Sequence, residues 1–238
     1  MKKFAFTLAE VLITLTIIGV ISAMVLPNML GHWEKKALET QTKHFYSMFS
    51  LALHNYMADN HVDDLSDTPL YCEAYEREGN YCERAEQEIN NFVMKYLKVA
   101  IKCDNFPESR ASSENKCYSN APWKGINKNA EYASSYSPTH VLAHGYAIDI
   151  RSGWENKPLM LIVDVNGQAG PNRGGRDIWW LYVYDNGTIT DIDLTPECEK
   201  DTECIKNETE REFNNCLSSY WGRGCFAHFK DNGFKFDY

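Results

Sequence analysis

The sequence has no run of lysine and arginine. Its 24 basic residues stand against 33 acidic ones, a formal net charge of −9. A surface devoted to nucleic acid or anionic lipid would carry a basic stripe, so nucleic acid is disfavoured as a partner. CxxC is also missing, which removes the usual spacing of a redox site or a zinc knuckle. GxSxG, HExxH, Walker A and GxGxxG are all absent, so none of these short catalytic or nucleotide-binding signatures applies and no enzymatic activity is expected.

What the chain does have begins near its start. Residues 6 to 26 read FTLAEVLITLTIIGVISAMVL, with Glu10 as the one ionisable side chain, about the length that a bilayer core demands. Met1-Lys2-Lys3 places positive charge ahead of it, which orients the N-terminus toward the cytoplasm and exports the remainder. An unpaired carboxylate costs roughly 2.5–3.5 kcal/mol at the centre of such a span and less near an end. Glu10 therefore needs a partner. Two processing routes are open. Ordinary signal peptidase could cut after Ala23, following Ile21-Ser22, and release a soluble periplasmic protein. The other route depends on what surrounds Glu10.

A short basic leader, Phe6, the run Phe6-Thr7-Leu8-Ala9-Glu10, an apolar helix and Pro27 together resemble the N-terminus of type IV pilins and type II secretion pseudopilins. The resemblance covers residues 1 to about 30, and Ala5 stands where that family usually has Gly. It implies cleavage by prepilin peptidase between Ala5 and Phe6, N-methylation of Phe6, and a Glu10 carboxylate that meets the Phe6 amine of a neighbouring subunit. An out-of-register neighbour would leave both charges unpaired, so the pair sets register. The implied protein is a filament subunit for protein secretion or a pilus. It sits in the bacterial inner membrane as a single-pass protein with a periplasmic or extracellular head, in contact with lipid, other pilin-like subunits and an inner-membrane assembly platform. A minor pilin whose head is an adhesin or DNA-uptake receptor is the alternative within the resemblance.

The residues divide the chain into a leader (1–5), a transmembrane and filament-core helix (6–26), an amphipathic continuation (27–58) and a globular head (59–238). Pro27 lacks the N–H that an unbroken helix would use, so a bend or local unwinding is expected there. Beyond it Trp33, Ala37, Phe45, Met48, Phe49, Ala52, Leu53 and Tyr56 recur at helical spacing and form a core-facing stripe. Residues 59–82 read as polar loop, and Ile89, Phe92, Val93, Tyr96, Leu97 and Ala100 predict a second helix over 83–100. Residues 104–138, rich in Ser, Asn and Pro, read as an irregular excursion. Strands are predicted at 141–143, 146–150, 159–165, 179–184 and 188–192, and a last hairpin pairs 226–229 with 234–236 across Asp231-Asn232-Gly233. The class is α+β: a long N-terminal helix, transmembrane in its first half, packed on an antiparallel sheet with disulfide-braced loops.

Eight cysteines lie beyond the apolar segment, and an even count behind an export signal indicates disulfides in an oxidising compartment. Adjacency alone pairs Cys72 with Cys82, Cys103 with Cys117, Cys198 with Cys204 and Cys216 with Cys225, one arrangement among about 105. The segment from Asp164 to Asp177 concentrates oxygen ligands among glycines, with Asp164, Asn166, Asn172 and Asp177 as candidate calcium ligands. It resembles a loop seen in many pilin-like proteins. Asn-Gly, Gly-Pro and Gly-Gly also build turns without metal, and Arg173 and Arg176 could pair with the two carboxylates instead. His140 and His144 lack a third ligand and read as a surface or partly buried pair. Tyr220 and Trp221 read as a loop that is either exposed or tucked into the core.

Overall fold

The computed structural model describes residues 7–72, 82–103, 117, 123–126, 131–132, 138–154, 156–218 and 222–238. The leader, Ala5, Phe6, Tyr220 and Trp221 lie outside them.

Helix α1 runs from Leu8 to Asn60 and continues through Pro27, so the local unwinding expected at that residue is not seen. It ends where His61 adopts the left-handed conformation and returns its N–H to the carbonyls of Met57 and Ala58. Of the predicted stripe, Phe45, Phe49, Ala52, Leu53 and Tyr56 are buried toward the head and Met48 is partly buried, whereas Trp33 and Ala37 are exposed, because the head covers the helix only from Leu38 onward. Each of Phe45, Phe49 and Leu53 contributes about 1.5–3 kcal/mol by leaving water. That sum fixes the second half of α1 to the body of the protein.

The surface it meets is a six-stranded antiparallel sheet in the order β1-β4-β5-β6-β7-β8. The strands are β1 (Val99–Lys102), β4 (His140–Leu142), β5 (Ala147–Trp154), β6 (Lys157–Asp164), β7 (Ile178–Val183) and β8 (Ile189–Thr190), while β2 (Trp123–Lys124) and β3 (Glu131–Tyr132) pair separately. Ile148 and Ile150 on β5, Leu159, Leu161 and Val163 on β6, and Trp179, Leu181 and Val183 on β7 join the same core as the α1 stripe. Their period of two is why one face is apolar. Trp179 donates its indole N–H to Thr42 Oγ1 across that interface at 3.2 Å, so the largest buried ring keeps its polar atom satisfied.

Several expectations need correction. Helix α2 covers Glu83–Tyr96 and stops short of residue 100, because Val99 to Lys102 leave the helix to pair with β4. β-Branched Val99 and Ile101 suit that ladder. Residues 59–82 are not all polar loop: a 3-10 turn at Leu65–Asp67 inserts Leu65 into the core, and Leu70 follows it. Within 104–138, β2 and β3 pair where irregular chain was expected. Helices α3 (Pro196–Glu199) and α4 (Thr202–Cys216) were not anticipated.

The predicted terminal hairpin is instead helix α5, Cys225–Asp231. The cause lies elsewhere in the chain. Asp191, fully buried, accepts the N–H groups of Phe226 at 2.8 Å and Ala227 at 3.0 Å, supplying the acceptor that the first turn of a helix requires. Gly224 precedes it at φ 88°, where a Cβ would stand 2.2 Å from the Glu212 carbonyl oxygen, so only glycine fits. Phe226 and Phe229 then face the main core, and Phe234 to Phe236 pack against Trp179 and Phe229 without forming a strand. Phe236 donates its N–H to Glu39 on α1 at 3.0 Å. The far sheet face carries Tyr182 and Tyr184 into a second cluster with Ile192, Leu194, Cys198 and Ala227.

Four disulfides join Cys72 to Cys82, Cys103 to Cys117, Cys198 to Cys204 and Cys216 to Cys225. The third ties α3 to α4 and the fourth ties the end of α4 to the start of α5.

Candidate assembly surface

Among the described residues, the head leaves the first half of α1 uncovered. From Thr7 to Ala37 the described side chains are exposed, with Ser22 alone partly covered. Leu12 is 56% exposed and Trp33 62%, against 0% for Phe49 further along the same helix. A helix that is apolar all round is stable only inside a bilayer or within a larger assembly. This one is long and apolar enough to cross a membrane.

Glu10 sits in the first turn and already has partners in its own chain. Thr7 N–H and Thr7 Oγ1 both donate to Glu10 Oε2 at 2.8 Å, and Glu10 N–H donates back to Thr7 Oγ1 at 3.2 Å. This is a capping box, which satisfies two of the helix's open donors. It also places the carboxylate at the positive end of the helix dipole. The sequence reading gave Thr7 no role, although Thr-x-x-Glu ahead of an apolar run carries the signal. Pro27 is exposed within the helix. Ala5 and Phe6, the residues flanking the expected cut, lie outside the described residues.

The second candidate region is the connection from β6 to β7. Asp164 closes its first turn by accepting the N–H groups of Asn166 at 3.2 Å and Gly167 at 2.8 Å. Asp177 accepts the Arg173 N–H and, at 3.0 Å, the Asn166 side-chain amide. Burial pushes the Asp177 carboxyl up to about 6. Burial, with the charge of Asp177 next in effect, raises Asp164 well above the usual carboxylate range. Asn172 is buried in the same loop at φ 49°, and its carbonyl accepts the Lys124 N–H. Asn166 Oδ1 is buried with no hydrogen-bond partner among the described residues. The alternative arginine pairs are not seen among the described residues: Arg173 meets Asp177 through its main chain, and Arg176 bonds to the Tyr238 carbonyl and lies over the Phe236 and Tyr238 rings. Among the described residues no group of three or more His, Cys, Asp or Glu could hold a metal ion.

His140 and His144 have unlike surroundings. His140 is buried on β4 beside Thr139, and burial lowers its pKa to about 4. His144 is exposed in the turn that follows.

Residues 1–26 match the family model of the prokaryotic N-terminal methylation motif, the prepilin-type cleavage and methylation segment of type IV pilins and pseudopilins. Neither a curated protein nor a solved structure matches the chain. The long apolar helix and antiparallel sheet fit a pilin-like fold.

Proposed function

We propose that this chain, which carries the prepilin-type segment at residues 1–26, is a filament subunit of a type II secretion pseudopilus or a related type IV pilus. It is held in the inner membrane by α1, cut by prepilin peptidase between Ala5 and Phe6 and methylated on Phe6. From the membrane it joins the filament through the exposed half of α1, against its own kind or other pilin-like subunits. The observation that carries the reading is a single helix whose second half is locked into the head while the described apolar side chains of its first half are exposed. The capping box supports a further step. While the subunit waits in the bilayer, Thr7 offsets the desolvation of the Glu10 carboxylate, which then meets the Phe6 amine of a neighbour. The test is peptide mass spectrometry of the protein from its native membranes beside a strain lacking prepilin peptidase. A mature chain starting at N-methylated Phe6, absent from that strain, supports the reading. A chain starting at Met24 discards it, since α1 would then lose its apolar half with the signal.

We also propose that the loop from Asp164 to Asp177 takes calcium. Two buried carboxylates and the unbonded Asn166 Oδ1 are hard oxygen donors, and Asp164, Asn166, Asn172 and Asp177 are the residues that would hold the ion. Bound calcium would supply the positive charge that the two carboxylates lack. At a concentration about 100 times its Kd it would stabilise the head by about 2.7 kcal/mol. A rise in Tm with calcium over EDTA, absent in Asp177→Asn, is the expected result; equal Tm values in the two buffers reject the site.

A further inference from the structure

The histidine that faces His144 is His44, one hundred residues earlier on α1. Their ring centroids lie 4.9 Å apart with the planes tilted by 57°, and both side chains are exposed. A metal held at about 2.0–2.1 Å by two imidazole nitrogens lies roughly 3.2 Å from each ring centre. Ligand angles of roughly 90–110° then set the two centres about 4.5–5.2 Å apart. The observed separation falls inside that window.

The surroundings suit ligation as well. His44 Nδ1 lies 2.8 Å from Tyr146 Oη, so a proton on Nδ1 donated to the phenol leaves Nε2 as the ligand atom. Metal-binding histidines are commonly oriented in this way by a partner on their second nitrogen. Neither ring rides on a loose segment. His44 precedes buried Phe45 on α1. The turn bearing His144 is pinned by Leu142 N–H to the Tyr146 carbonyl, Gly145 N–H to the Leu142 carbonyl and Ala143 N–H to the Lys98 carbonyl, each at 2.8 Å. A Cβ on Gly167 would stand 2.2 Å from the Gly145 carbonyl oxygen, so the β6–β7 connection backs the turn directly.

We propose that His44 and His144 form a two-imidazole site for a borderline divalent cation, Zn2+, Ni2+ or Cu2+, with solvent completing the coordination. Imidazole pairs select these ions over calcium and magnesium, which take oxygen ligands. The ion would clamp α1 to the β4–β5 turn of the head, and Tyr146 would act as a positioning residue through His44. The inference stands apart from the filament reading, because both rings belong to one chain.

The experiment is isothermal titration of the full chain in detergent, stripped with EDTA, using Zn2+, Ni2+ and Cu2+ with Ca2+ as control. One transition ion should bind per chain. His44→Gln and His144→Gln should each weaken binding by about ten-fold or more, and Tyr146→Phe by about ten-fold. His54→Gln, which alters an exposed histidine elsewhere on α1, should leave it unchanged. Electron paramagnetic resonance of the unsubstituted chain with one Cu2+ provides a readout that needs no variant, and coupling to two imidazole nitrogens is expected. Absence of saturable binding, binding undiminished in both histidine variants, or coupling to a single nitrogen each overturns the site.

Discussion

The two halves of α1 are one continuous helix with opposite fates. Between Leu38 and Tyr56 the helix turns an apolar stripe to the sheet and keeps charged residues such as Lys43 outside. Between Leu8 and Trp33 the apolar residues encircle the axis and none of the described elements of the head covers them. The difference is one of composition and of pattern together. A stripe about 100° wide can be satisfied by a single surface, whereas an apolar cylinder needs contact on all sides. Only a bilayer or several neighbouring helices supply that. The first half is therefore read in terms of partners, the second in terms of the chain's own stability.

The largest effect that could break this contrast comes from truncating one ring in each half. Phe49 is fully buried, stacked on Phe45 and edge-on to Phe92, so Phe49→Ala should destabilise the head by about 3–5 kcal/mol. Ile17→Ala, in the exposed half, should leave head unfolding within about 0.5 kcal/mol of the parent while reducing filament yield. Denaturant unfolding in detergent measures the first, and filament recovery from cells the second. Equal losses of head stability in the two variants would mean that the first half packs on the head in solution.

Legibility followed the same divide. Local periodicity was enough to identify the helix, a buried strand over 159–165, found at Lys157–Asp164, and strands on either side of His144-Gly145, found as the antiparallel pair β4 and β5, because each pattern is set by its own residues. The C-terminal segment misled because Phe226, Phe229, Phe234 and Phe236 around Asp231-Asn232-Gly233 satisfy a hairpin pattern. The decisive acceptor, Asp191, stands 35 residues before Phe226, whose N–H it accepts, and no local pattern contains it. The end of α2 was lost in a similar way, since the pairing of Val99 with Leu142 outweighs the helical spacing of Ala100. At the candidate sites, Glu10 was visible from its position in an apolar run. Its bond to Thr7 was equally present in the sequence, whereas the meeting of His44 with His144 depends wholly on how α1 docks.

A second, smaller effect sharpens the contrast through pH, because the head has buried carboxylates to titrate. Burial raises Asp191 from 3.8 to about 6. Folded Asp191 thus holds its proton to higher pH than the unfolded side chain does. Its contribution to stability is complete below about pH 4 and is lost as pH rises through about 6, an increment on the order of 2–3 kcal/mol. Asp177 is displaced in the same direction. Head stability measured by denaturant from pH 4 to pH 7 should therefore fall more steeply in the parent than in Asp191→Asn, whose side chain does not titrate. Parallel curves would show that Asp191 is as solvated in the folded head as in the unfolded chain.

The smallest effect belongs at the other end of the molecule. Thr7→Val keeps the Thr7 main-chain donor to Glu10 but removes Oγ1, and with it both the hydroxyl donor to the carboxylate and the acceptor for Glu10 N–H. Loss of such a cap costs about 0.5–2 kcal/mol, which corresponds to roughly 2- to 30-fold faster amide exchange in the first turn of α1. Because the described residues of the head leave that half of the helix uncovered, exchange in the Phe45 to Tyr56 stretch should not change. Hydrogen exchange with mass spectrometry on the full chain in lipid nanodiscs reads both stretches in one sample. An unchanged first turn would mean that Glu10 is satisfied by something other than Thr7 in the membrane. Acceleration at both ends would mean that the two halves of α1 unfold as one unit, which would remove the mechanical independence on which the proposed assembly through the exposed half depends.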